Sequence, residues 1–298
     1  MTDPVLHFMT CPDARGGHRL AYWQWGESDA PHLILCVHGL TRQGRDFDVL
    51  AQALLRQRGT GLRIVCVDVA GRGNSDWLPD PAMYQIPQYA ADMVALLAHL
   101  QPVTLDWVGT SMGGLIGMAI CGQPGLPLPA PVRRLVLNDV GPAMRWEALQ
   151  RIGAFLGKTG RFASIQEAAD AMWAISSSFG PHTPEQWLAL SRHMVRPVEG
   201  DPGKVQLHYD PAIGDAFRAV TAEAAAQGEA MLWQLYDQIT AQTLVLRGAQ
   251  SDLLSPATAQ AMQRRGPCAR VVEFDGVGHA PTLVVADQLE AVTSFLLA

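Results

Sequence analysis

The sequence predicts an α/β fold, a mostly parallel sheet flanked by helices and interrupted once by a long helical insertion. Three observations predict it. Short apolar runs alternate with segments carrying apolar residues at three- and four-residue spacing, the pattern of repeated strand–helix units. The middle runs lack polar alternation, as in strands covered on both faces. Between Gly141 and about Gly228 the rhythm stops. That stretch has helical character and no convincing strand, and it is cut by Pro181, Pro184, Pro197, Pro202 and Pro211.

In order, strands are expected at Val5–Cys11 and Arg19–Trp25, an antiparallel entry to the sheet. They continue at Leu33–Val37, Arg63–Val69, Leu105–Gly109, Arg134–Leu137, Thr243–Arg247 and Arg270–Phe274. Helices are expected over Gly44–Arg58, Pro87–Leu100, Met112–Cys121, Pro256–Arg265 and Ala286–Leu297. Pro87 and Pro256 suit a first helical turn, where the missing N–H costs nothing. The interrupted stretch is too long for an ordinary connection and reads as a cap over the sheet. The division is therefore residues 1–141 and 229–298 as core, and 142–228 as cap.

Size and composition agree with an ordinary globular chain. At 298 residues it suits one large domain, or a core with an insertion. Hydrophobic residues at 48% and charged residues at 17% exclude a disordered chain. A net charge of −6 offers no basic footprint for nucleic acid or an anionic membrane. The start, Met1-Thr2-Asp3-Pro4, lacks the basic and apolar regions of a signal peptide, and no apolar run is long enough to span a bilayer. Five scattered cysteines without a C-x-x-C pair point away from disulfides and zinc and toward the cytoplasm.

The strongest chemical signal is Gly109-Thr110-Ser111-Met112-Gly113, a G-x-S-x-G between an apolar strand and a helix. A serine on so tight a turn has strained backbone angles and needs small residues two positions to either side. The turn lifts the hydroxyl clear of the sheet and sets it at a helix N-terminus, where the dipole favours developing negative charge. Ser111 is the expected nucleophile.

A serine hydroxyl needs a general base. His279, in Gly276-Val277-Gly278-His279-Ala280-Pro281, follows the last strand on a loop able to swing over the sheet edge. The imidazole needs an orienting carboxylate. Asp252 follows the Thr243–Arg247 strand and gives the chain order serine, acid, histidine. Asp139, ending the Arg134–Leu137 strand, is its rival. Asp252 is preferred, leaving Asp139 as a loop-fixing carboxylate beside the pocket. The expected oxyanion donors are the N–H groups of Met112 and Leu40. His38 is read as a histidine bracing that loop.

These motifs resemble the α/β-hydrolase superfamily over essentially the whole chain. The carriers are His38-Gly39, Asp68-Val69-Ala70-Gly71-Arg72-Gly73-Asn74-Ser75-Asp76, Gly109-Thr110-Ser111-Met112-Gly113, Arg247-Gly248-Ala249-Gln250-Ser251-Asp252 and Gly278-His279. The resemblance implies an eight-stranded sheet with its second strand antiparallel, and a cap inserted after the sixth strand. It also implies a Ser-Asp-His triad and neither metal nor organic cofactor. Ser111 departs from the branches with an aspartate at the elbow, the epoxide hydrolases and haloalkane dehalogenases. Ala280 stands where the family's carbon–carbon bond hydrolases usually have tryptophan.

The expected function is hydrolysis of a small or medium carboxylic ester or lactone. Carbon–carbon bond cleavage or acyl transfer by the same triad is the alternative, and a ligand-binding receptor on this fold is a third reading. Aromatic and methionine residues of the cap should line part of the pocket, with Trp173, His38 and Asp139 as candidates. The expected partner is a small ester substrate. Oligomeric state is not legible.

Overall fold

A computed structural model describes residues 3–13 and 16–298. The chain opens with β1 (Val5–Cys11) and β2 (His18–Gly26), paired antiparallel from Val5↔Gln24 to Cys11↔His18. Then follow β3 (His32–Val37), α1 (Asp48–Arg58), β4 (Leu62–Asp68), α2 (Ile86–Leu100), β5 (Thr104–Thr110), α3 (Met112–Gly122) and β6 (Val132–Asn138). The inserted stretch holds α4 (Trp146–Phe155), β7 (Arg161–Phe162), α5 (Ile165–Ser176), α6 (Pro184–Arg192), β8 (Val195–Val198), β9 (Asp201–Leu207), α7 (Ile213–Arg218) and α8 (Ala222–Asp237). The core resumes with β10 (Gln242–Gly248), α9 (Pro256–Met262), β11 (Arg270–Phe274) and α10 (Ala286–Leu297).

Eight strands form one sheet in the order β1-β2-β4-β3-β5-β6-β10-β11. β2 runs antiparallel to its neighbours, and the strands from β4 to β11 in that order are parallel. Alternate residues of β3 feed opposite faces, as strand geometry requires. Leu33, Leu35 and Val37 enter the core beneath α2 and α3, while Ile34 and Cys36 enter the core beneath α1 and α10. With both faces covered, the C-terminal ends of the parallel strands are left as the edge where loops can converge on a ligand. Among the described residues no helix is long and apolar enough to cross a membrane.

The insertion differs from expectation in two respects. It is not wholly helical: β7, β9 and β8 form a three-stranded antiparallel sheet. β7 has only two residues, and β8 and β9 mix proline with polar residues, so they carry none of the apolar pattern that marks a buried strand. Pro197 lies on β8, an edge strand, where a missing N–H is tolerated. Pro184 starts α6 instead of breaking it, behind a capping box of Thr183 and Gln186. Second, the expected boundary between Gly228 and Glu229 falls inside α8.

Candidate active site

The turn between β5 and α3 places Ser111 at φ 51°, ψ −115°, a conformation costly for a non-glycine residue. The flanking glycines are required by contact. A Cβ on Gly113 would lie 1.9 Å from the Val37 carbonyl oxygen, and one on Gly109 would lie 2.3 Å from that of Gly113. The Ser111 N–H donates to the Asn138 carbonyl at 2.9 Å, fastening the turn to the end of β6.

Ser111 Oγ lies 2.9 Å from His279 Nε2, and His279 Nδ1 lies 2.7 Å from Asp139 Oδ2. The Asn138 amide nitrogen donates to the Pro281 carbonyl at 2.8 Å and to Thr110 Oγ1 at 3.0 Å, joining the histidine loop to the serine turn. Asp139 is fully buried, with φ 53°, in the left-handed region that aspartate tolerates better than most residues. Gly248 N–H donates to its Oδ1 at 2.9 Å, and the Ser251 hydroxyl donates to its Oδ2 at 2.6 Å. A buried carboxylate held by these donors is set in one orientation toward the imidazole.

Asp252, the expected partner of His279, is not its partner. It forms an ion pair with Arg151 of α4, 2.6 Å from Nη2, and about half of each side chain is exposed. The reason is local. The turn after β10 points Ser251 inward onto Asp139, and its next residue faces outward to the insertion. Chain order did not separate the two acids, because both lie between Ser111 and His279. Ser251 and Asn138 were missed as members of the site. Their only signal was adjacency to the two candidate aspartates.

Leu40, one of the two expected oxyanion donors, lines the cavity over Ser111, and Met112, the other, opens α3 directly after Ser111. Among the described residues, neither N–H donates to a protein acceptor. Buried Arg72 braces both residues: its Nε donates to the Leu40 carbonyl at 2.8 Å, and its Nη2 lies 3.6 Å from Met112 Sδ. His38 is fully buried under this loop. Its Nδ1 donates to the Gly39 carbonyl at 2.7 Å, and its Nε2 accepts from Val69 N–H at 3.0 Å. Burial pushes its pKa down to about 3, so it stays neutral in this tautomer. It therefore supports the loop and does not line the pocket.

Above Ser111 lies a cavity of about 230 Å³ between sheet edge and insertion. Gly39, Leu40, Ser111 and His279 form its floor, while Phe155, Met172, Ile175, Phe179 and Met194 are among its apolar walls. Trp173, expected in the pocket, instead packs edge-on against Trp187, with centroids 5.0 Å apart, and against His182. Its neighbour Met172 takes the pocket position, because successive helical residues face different ways. His182 Nε2 lies 2.8 Å from Thr282 Oγ1, tying the insertion to the histidine loop.

Among the described residues, one group away from this site has donor atoms close enough to hold a metal ion: Cys11, His18 and Asp92. Both ring nitrogens of His18 are engaged by carboxylates, Asp92 at 3.0 Å and Asp13 at 3.2 Å. Burial pushes the Cys11 thiol up to about 12. His18 and these two carboxylates form a largely buried ion-pair network beside the β1–β2 end of the sheet.

The family model described as the alpha/beta hydrolase family matches residues 34–292. The chain belongs to the alpha/beta hydrolase family. Within it, the chain is similar to a 3-hydroxybutyrate-oligomer hydrolase of Cupriavidus necator, 48% identical over 98% of each chain. It is also similar to 3-oxoadipate enol-lactonase 2 of Acinetobacter baylyi, 26% identical over 86% of this chain and 85% of that one. A crystal structure of an alpha/beta hydrolase from Novosphingobium aromaticivorans superposes with a TM-score of 0.82, at 32% identity, over 100% of this chain and 99% of the other. The expected class, a hydrolase of ester bonds, agrees with these relatives.

Proposed function

We propose that this alpha/beta hydrolase cleaves the ester bonds of short 3-hydroxybutyrate oligomers through an acyl-enzyme at Ser111. The observation that carries the reading is the continuous hydrogen-bonded chain Ser111–His279–Asp139 at the floor of an apolar cavity. The substrate class is that of the relative with 48% identity along the full length of both chains. The cavity lies below the range of about 300–1,000 Å³ found for drug-sized ligands, which suits a short chain of small units.

His279 Nε2 takes the Ser111 proton as Oγ attacks the ester carbonyl. Asp139 holds the imidazole in the productive tautomer and stabilises it when charged. The N–H groups of Leu40 and Met112 receive the oxyanion. The C–O bond to the alcohol half breaks, and that alkoxide takes the proton from His279. Water, deprotonated by His279, then attacks the acyl carbonyl and releases Ser111. The segment from residue 142 to the end of α8 acts as the cap over this chamber. A cytoplasmic setting belongs to the same reading, and the five free cysteines suit a reducing compartment.

The test is release of 3-hydroxybutyrate from its linear dimer and trimer, beside hydrolysis of p-nitrophenyl butyrate. Turnover of the oligomers at least as efficient as that of the simple ester supports the reading. Turnover of the simple ester alone removes the substrate class, and turnover of neither removes the hydrolase.

A further inference from the structure

The cavity wall carries charge that the serine chemistry does not use. Three cations line it, Arg42, Arg151 and Lys158, against one acid, Asp46. Arg42 is engaged by that acid, with Nε and Nη2 each 2.6 Å from a carboxylate oxygen. Arg151 is engaged by Asp252. Lys158 has no acidic partner among the described residues. The chain has only two lysines, and the other, Lys204, is paired with Asp201 at 3.0 Å.

Lys158 is exposed, so it stands where the cavity meets solvent. Its backbone is anchored. Gly157 just before it has φ 82°, its N–H donates to the Tyr209 hydroxyl at 3.2 Å, and a Cβ there would lie 2.8 Å from the Pro211 carbonyl. A lone ammonium at the mouth of an apolar cavity, on a chain of net charge −6, sets a local field against the overall sign. Such a field attracts an anion that the rest of the surface repels.

We propose that Lys158 is a carboxylate subsite at the pocket mouth, holding the free acid end of the oligomer while an ester carbonyl sits at Ser111. This rests on the function proposed above. In a 3-hydroxybutyrate oligomer the alcohol half of the cleaved ester carries the terminal carboxylate. When the acyl C–O bond breaks and His279 protonates the departing oxygen, that fragment leaves with its carboxylate still facing Lys158. The enzyme accordingly selects acid-terminated chains over neutral esters of the same length.

The experiment compares kcat/KM for the linear trimer as free acid and as methyl ester, with p-nitrophenyl butyrate as reference, in wild type, Lys158→Gln and Lys158→Arg. Wild type prefers the acid. Lys158→Gln loses about fivefold on the acid, the scale of a partly exposed charge pair, with the methyl ester and p-nitrophenyl butyrate unchanged. Lys158→Arg retains the preference, and added salt weakens it in wild type but not in Lys158→Gln. Equal wild-type turnover of acid and methyl ester overturns the proposal, as does an equal loss on all three substrates in Lys158→Gln. If neither trimer form is cleaved while p-nitrophenyl butyrate is, the oligomer reading has failed and the subsite falls with it.

Discussion

Asp139 Oδ2 lies 2.7 Å from His279 Nδ1, at the point where the chain leaves β6. The geometry leaves Asp252 nothing to do for the imidazole, since its carboxylate is given to Arg151. Asp139→Asn should therefore lower kcat by about 10⁴-fold, through the wrong imidazole tautomer. Asp252→Asn should leave kcat for p-nitrophenyl butyrate close to wild type. Steady-state kinetics of the two variants side by side decide the matter, and the reverse ranking would return the role to Asp252.

Gly113 is held by backbone on both sides, not by flexible side chains. With a Cβ 1.9 Å from the Val37 carbonyl, Gly113→Ala must push α3 away from β3. The expected loss is about 3 kcal/mol, the upper part of the overpacking range, and urea denaturation measures it. Activity should fall too, because α3 carries Met112 and its N-terminus supports Ser111.

His38 supplies a pH dependence of definite sign. Its folded-state pKa lies at about 3, below the ordinary value of 6.5. Below 6.5 the unfolded chain takes a proton that the folded chain refuses. The contribution of His38 to stability is thus complete above pH 6.5 and is lost as pH falls toward 3, at about 1.4 kcal/mol per pH unit. The ring-proton resonance of His38 should not titrate between pH 8 and pH 5 in the folded protein. A midpoint near 6.5 would show that it is not the neutral support of the Leu40 loop.

Much of this molecule was legible because its signals are local. β1 and β11 have the expected limits, and the other sheet strands differ by one or two residues at their ends. Apolar composition marks a strand buried on both faces wherever it falls. The serine turn was legible because the glycine contacts around Ser111 are written at fixed spacing. The acid was not. Asp139 and Asp252 both follow a strand, both precede His279, and both end at the same sheet edge. What separates them is the direction of a side chain, set by φ 53° at Asp139 and by Ser251 turning inward. The insertion was legible as an interruption but not in its parts, because β8 and β9 carry proline and polar residues. Trp173 shows the same limit, since one step along α5 decides whether a side chain meets the cavity or the aromatic cluster behind it.

The central claim is that Ser111 is activated by His279 and Asp139. Its most direct test is labelling with a fluorophosphonate probe, with the modified residue located by mass spectrometry in wild type, Ser111→Ala, Asp139→Asn and Asp252→Asn. Wild type should carry one label per chain at Ser111, and Ser111→Ala none. Labelling should be slowed by orders of magnitude in Asp139→Asn and stay near wild type in Asp252→Asn. An unlabelled wild-type protein, or a label on another residue, would contradict the claim.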